Sequence, residues 1–133
     1  MKKIILTLIL FLNLYANQSN SIVVDEVESL MQNGVIIIDI REEKKWEDTG
    51  IIPSSYRLTY NDSKIDNNEK RWFYTLIKLI RSKKRTFVLI SEDGKKAENL
   101  SLKLKNEKGF KKALFLKGGI KAWLDADRRV INY

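Results

Sequence analysis

The run Thr86-Phe-Val-Leu-Ile90 has no polar face and leads straight into Ser91-Glu-Asp-Gly94. A short stretch rich in β-branched and aromatic side chains reads as a strand covered on both sides, the kind found inside a parallel sheet. Ser91 to Gly94 reads as a tight polar turn, after which Ala97, Leu100 and Leu104 fall at helical spacing. Gly94 permits a backbone conformation closed to side-chain-bearing residues, so the helix can aim its unpaired N–H groups into the turn. That is an anion cradle at the carboxyl end of an open sheet, where α/β domains keep their sites.

The rest of the chain alternates in the same way. Ile22 to Val24 reads as a small edge strand, and Asp25 as the cap of a helix carrying Val27, Leu30 and Met31 and stopped by Asn33-Gly34. Val35 to Ile40 is a second buried strand broken only by Asp39, and Arg41 to Asp48 a short charged helix with Trp46 as its large apolar contact. Gly50-Ile-Ile-Pro53-Ser-Ser55 turns the chain, Tyr56 to Tyr60 adds a strand, and Asn61 to Asn68 is a polar loop. Glu69 to Arg81 is the clearest helix, with Trp72, Phe73, Leu76, Ile77 and Ile80 on its apolar face. Ser82-Lys-Lys-Arg85 links it to the opening strand; Ala113 to Leu116 is the last strand, and Gly118-Gly119 introduces a closing helical turn seating Trp123. Strands alternating with helices predict an α/β fold, a three-layer sandwich with a central, mostly parallel sheet flanked by helices.

Length and composition narrow this further. At 133 residues and 44% hydrophobic, the chain suits one domain with a real core. Residues 1–16 have a basic start, an apolar middle and Ala16 at the end, the pattern of a secretory signal peptide. Their apolar run is shorter than the roughly 20 residues a spanning helix needs, so no transmembrane segment is expected in the mature chain. Residues 17–21 then form a flexible lead, residues 22–131 the domain, and the product is expected to be periplasmic or secreted.

Cysteine and histidine are both absent. Without them there is no thiolate nucleophile, no imidazole base, no Ser-His-Asp triad and no conventional zinc site. No Asp-rich loop has the ligand spacing of a calcium or magnesium site, so neither a metal nor a cofactor is expected. The formal net charge is +8. In an exported protein such a field favours anionic lipid, wall polymer or an acidic protein over nucleic acid. Lys103, Lys105, Lys108, Lys111, Lys112 and Lys117 cluster in sequence, either as a docking surface or as the solvated side of an amphipathic helix and its loop.

Several of these pieces together resemble the rhodanese-like domain family over residues 22 to 131. Asp39-Ile-Arg41 after an apolar strand is similar to that family's Asp-x-Arg signature. Gly50-Ile-Ile-Pro53 resembles its Gly-His-Ile-Pro turn with Ile51 in place of His, and Gly118-Gly119-Ile120 with Trp123 its Gly-Gly-x-x-x-Trp ending. The resemblance implies sulfur transfer through a persulfide on a cysteine at the end of the central strand, in a loop like Cys-Arg-x-Gly-x-Arg. Here that loop is Ser91-Glu92-Asp93-Gly94-Lys95-Lys96: Ser91 stands at the cysteine position, Glu92 at the first arginine and Lys96 at the second.

A serine hydroxyl is not ionised near neutral pH without a strong base, and it cannot hold a transferable sulfane sulfur. Glu92 and Asp93 place negative charge at the cradle mouth, against thiosulfate or phosphate, and lysine lacks the planar fork of arginine. The expected function is a non-catalytic binding or regulatory module with a periplasmic protein partner. The alternatives are altered chemistry at Ser91, with Lys95 or Lys96 as base, or a basic surface-docking protein. Asp39 and Arg41 are expected to hold the strand end by a local ion pair or backbone hydrogen bonds, and Pro53 to set its turn.

Overall fold

Phe87 and Leu89 point into one apolar layer and Val88 and Ile90 into another, so the central strand is buried on both faces. The computed structural model describes residues 20–61 and 67–133. Residues 1–16, the expected signal peptide, and positions 62–66 of the expected polar loop lie outside the described residues.

The elements run β1 (Ser21–Ile22), α1 (Val24–Gln32), β2 (Ile36–Asp39), α2 (Glu43–Thr49), β3 (Tyr56–Arg57), α3 (Asn67–Ile80), β4 (Phe87–Ile90), α4 (Lys95–Glu107), β5 (Ala113–Leu116) and α5 (Gly119–Asp125). The five strands lie in the order β1-β5-β4-β2-β3. Every pairing is parallel, with Ile38 opposite Leu89 and Leu89 opposite Phe115 at the centre. One apolar layer packs Ile38, Phe87 and Leu89 against Trp72, Leu76 and Ile80 of α3 and Leu100 and Leu104 of α4. The other packs Ile37, Val88 and Ile90 against Val27 of α1 and Ile120 and Trp123 of α5. This is the expected three-layer α/β sandwich. A fully buried Leu or Ile in either layer contributes about 1.5–3 kcal/mol. The buried apolar side chains run from Ile22 to Trp123, so the described chain from Asn20 onward carries its own core.

Three local expectations are corrected. Strand β1 pairs at Ser21–Ile22 rather than Ile22 to Val24, because Val24 already begins α1. Asp25 does not cap that helix. The cap residue is Val23, whose N–H donates to Glu26 Oε1 at 3.2 Å, while Asp25 takes the Arg128 guanidinium at 2.5 Å. Ile77 is 38% exposed and Leu79 packs inward instead. At roughly 100° per residue, Ile77 stands about 100° from the centre of the arc set by Trp72, Leu76 and Ile80.

Beyond its two paired residues, β3 continues alongside β2 through single hydrogen bonds. Leu58 N–H donates to Asp39 C=O at 2.9 Å and Tyr60 N–H to Ile40 C=O at 3.0 Å. Among the described residues no helix is long and apolar enough to cross a membrane.

Candidate functional site

Because all strands are parallel, their carboxyl ends gather at one end of the sheet, and β4 delivers Ser91 there. Ser91 is 3% exposed, and its Oγ accepts the Ala97 N–H of α4 at 3.2 Å. Asp93 Oδ1 accepts the Lys95 N–H at 3.0 Å, and Glu98 N–H returns to the Gly94 carbonyl at 2.9 Å. Two of the N–H groups expected to face an outside anion, those of Lys95 and Ala97, are thus taken by the loop's own oxygens.

The loop is clamped from the other side by α5. Ile120 N–H donates to Ser91 C=O at 2.9 Å and Lys121 N–H to Glu92 C=O at 3.2 Å. Such an approach needs a residue without a side chain: a Cβ on Gly119 would fall 2.3 Å from the Ser91 carbonyl oxygen. Gly94 has φ of +94°, and a Cβ there would meet the Gly118 nitrogen at 2.9 Å. Trp123, four residues into α5, is buried and donates its Nε1–H to Arg129 C=O at 2.9 Å.

Beneath the loop lies a buried ion pair. Arg41 Nη2 meets Asp39 Oδ2 at 2.8 Å, and both side chains are almost fully buried. Arg41 also donates to Gly50 C=O at 2.9 Å, Thr49 Oγ1 at 2.7 Å and Lys45 C=O at 3.4 Å, which fixes α2 against the strand end. The expected ion pair is thus present, and it ties the end of β2 to α2. Glu92 Oε2 lies 3.6 Å from Arg41 Nη1, buried and without a hydrogen-bond partner among the described residues. Pro53 opens a turn in which Ser55 N–H donates to Ile52 C=O at 3.1 Å, outside the loop itself.

A cavity of about 330 Å³ opens over this floor, lined by Arg41, Glu42, Lys45, Ser91, Glu92, Asp93, Lys95 and Lys96. Sequence reading placed Ser91, Glu92, Asp93, Lys95 and Lys96 around it but missed Glu42 and Lys45. The position of Lys45, four residues after Arg41 within the charged stretch Arg41 to Asp48, was the signal that could have found it. With Arg41 matched by Asp39, the lining sets the lysines 45, 95 and 96 against Glu42, Glu92 and Asp93. Lys95 and Lys96 are exposed, and among the described residues the Ser91 hydroxyl takes its hydrogen bond from the Ala97 N–H rather than from either lysine. Among the described residues no group of three or more acidic side chains comes together to hold a metal ion.

The sequence profile of the rhodanese-like domain matches residues 23–126. The chain belongs to the rhodanese-like domain family. A rhodanese-like domain from Anabaena, solved by NMR, is similar at 16% identity with a TM-score of 0.64, over 87% of this chain and 81% of that one. A rhodanese-related protein from Thermoplasma volcanium is similar at 16% identity and a TM-score of 0.63, over 85% of this chain and 98% of that one. A Rhodopseudomonas palustris protein of unknown function, described as a possible tyrosine phosphatase, has 21% identity and a TM-score of 0.58, over 84% and 83%. No curated protein matches the sequence.

Proposed function

We propose that this rhodanese-like domain is an exported, non-catalytic module that binds a protein partner through the rim from Ser91 to Lys96. The observation that carries the reading is the Ser91 hydroxyl seated under the Ala97 N–H at 3.2 Å, at the carboxyl end of the central strand. There the family's reaction calls for a thiolate. A thiolate in this slot would be stabilised by the helix N-terminus and could attack a sulfane sulfur. An un-ionised hydroxyl accepts the same N–H and does neither.

The phosphatase chemistry named for the Rhodopseudomonas palustris protein does not carry over, since that use of the fold needs the same thiolate and a following arginine. Glu92 and Lys96 stand where the loop would offer arginines. What the rim offers instead is a cavity of about 330 Å³ with lysines and carboxylates side by side. Mixed charge of this kind suits a polar protein surface better than a small anion.

The test is co-purification from periplasmic extract with residues 17–133 as bait, beside the variant Glu92→Ala, Lys95→Ala, Lys96→Ala. The reading predicts a defined protein retained by the parent chain and lost by the variant. Equal retention by both, or none by either, contradicts it.

A further inference from the structure

We propose that the end of the sheet opposite the Ser91 cleft is a docking surface for anionic phospholipid membrane. Parallel strands send every strand-entering loop to that end. Two of those loops are strongly basic: Lys83, Lys84 and Arg85 lead into β4, and Lys108, Lys111 and Lys112 lead into β5. The strands are neighbours, with Phe87 opposite Ala113. Lys83 Nζ donates to Lys108 C=O at 2.9 Å, and Phe87 N–H to Lys112 C=O at 3.4 Å. Loops far apart in sequence therefore form one surface.

All six side chains are exposed, and among the described residues none is in an ion pair. Glu107 is the one carboxylate in positions 82–86 and 107–112. The sequence cluster from Lys103 to Lys117 is divided by the fold. Lys103 is engaged by Glu69, and Lys117 follows β5 at the Ser91 end, while Lys108, Lys111 and Lys112 join the loop before β4. Between Lys84, Arg85 and Lys112 runs a groove of about 340 Å³ that Val35, Ile36 and Ile80 also line. Cations over an apolar lining match a phosphate headgroup and the first methylenes beneath it.

The point of chain entry favours a membrane over other polyanions. Asn20 C=O accepts the Phe115 N–H at 3.0 Å and Ser21 pairs with Phe115, so the chain enters the sheet beside β5, at the basic end. Ahead of it in sequence lies the apolar stretch Ile4-Ile-Leu-Thr-Leu-Ile-Leu-Phe-Leu12. While that expected signal segment is still held in the membrane during export, the basic end is the end of the domain next to the headgroups; once it is removed, the cations alone hold this face to the bilayer.

The experiment is co-sedimentation of residues 17–133 with phosphatidylcholine vesicles with and without 30% phosphatidylglycerol, at 50 and 500 mM salt. Binding is expected with the anionic vesicles alone and is expected to vanish at high salt. Lys84→Gln, Lys111→Gln, Lys112→Gln together should weaken partitioning by tenfold or more. Lys44→Gln, Lys117→Gln, Lys121→Gln, with the same loss of net charge, should leave it within twofold. Equal losses in the two triple variants, no binding to anionic vesicles, or binding to soluble polyphosphate without binding to vesicles would each overturn the assignment.

Discussion

Arg41 and Glu92 stand 3.6 Å apart without a hydrogen bond between them, because the guanidinium directs its five N–H groups at Asp39, Lys45, Thr49 and Gly50. Their weights in stability should therefore differ sharply. Asp39→Ala leaves a buried cation without its counter-charge and should cost about 3–5 kcal/mol. Glu92→Gln touches a partly exposed contact and should cost no more than about 1 kcal/mol. Urea unfolding of both variants checks this, and equal losses would mean that Glu92 is the true partner of Arg41.

Gly119→Ala should loosen the Ser91 loop. The position has φ of +62°, and its Cβ would collide with the Ser91 carbonyl at 2.3 Å. The backbone conformation alone costs an alanine about 1–2 kcal/mol, and displacing the carbonyl breaks its bond from Ile120. Faster amide exchange at Ile120 and Lys121, with β2 unchanged, is the expected signature.

Ser54 shows the opposite case. It holds φ of +65° at the third position of the turn from Ile52 to Ser55, directly after Pro53. That is the arrangement of a type II turn, which favours glycine there. Ser54→Gly should raise stability by on the order of 0.5 kcal/mol, after the gain in strain is set against glycine's greater freedom when unfolded. Thermal unfolding measures it, and a loss of more than about 1 kcal/mol would show that the serine side chain contributes to the turn.

The ion pair between Glu69 and Lys103 joins α3 to α4. Its hydrogen bond holds the Glu69 carboxyl below its ordinary range and pushes the Lys103 ammonium up. A carboxyl with a lowered folded pKa contributes stability above its unfolded pKa, about 4.3, and loses it as pH falls through the folded value. A lysine with a raised folded pKa contributes below its unfolded value, about 10.4, and loses it as pH rises through the folded one. Glu69→Gln should therefore cost a few tenths of a kcal/mol to about 1 kcal/mol near pH 7 and almost nothing near pH 2. A difference from the parent that does not change with pH would mean the contact acts through packing alone.

The sequence and the structure agree where one residue's neighbours in the chain decide its surroundings. The short apolar runs Ile36 to Ile38 and Phe87 to Ile90, rich in β-branched residues, read as buried strands, which sets Ser91 to Lys96 at a strand end. Residues whose fate depends on distant partners were harder to read. Ile77 is apolar yet outward, because the helix rotates to seat Trp72 and Leu76. Asp25 looks like a cap but is drawn to Arg128 from the far end of the chain. Arg57 lies over the ring of Tyr133 at 4.8 Å and that of Trp46 at 5.9 Å, a grouping no local pattern announces. The basic loops before β4 and β5 become one surface only because those strands are adjacent, and strand order is not written in periodicity.

The central claim concerns what Ser91 can carry. Residues 17–133 should be incubated with thiosulfate, followed with cyanide and intact-mass spectrometry, and run beside a cysteine-bearing rhodanese as a positive control for the assay. The account predicts no thiocyanate above background and no added sulfur mass on the parent chain. Thiocyanate turnover by the parent, or a stable adduct of one sulfur on it, would contradict the account.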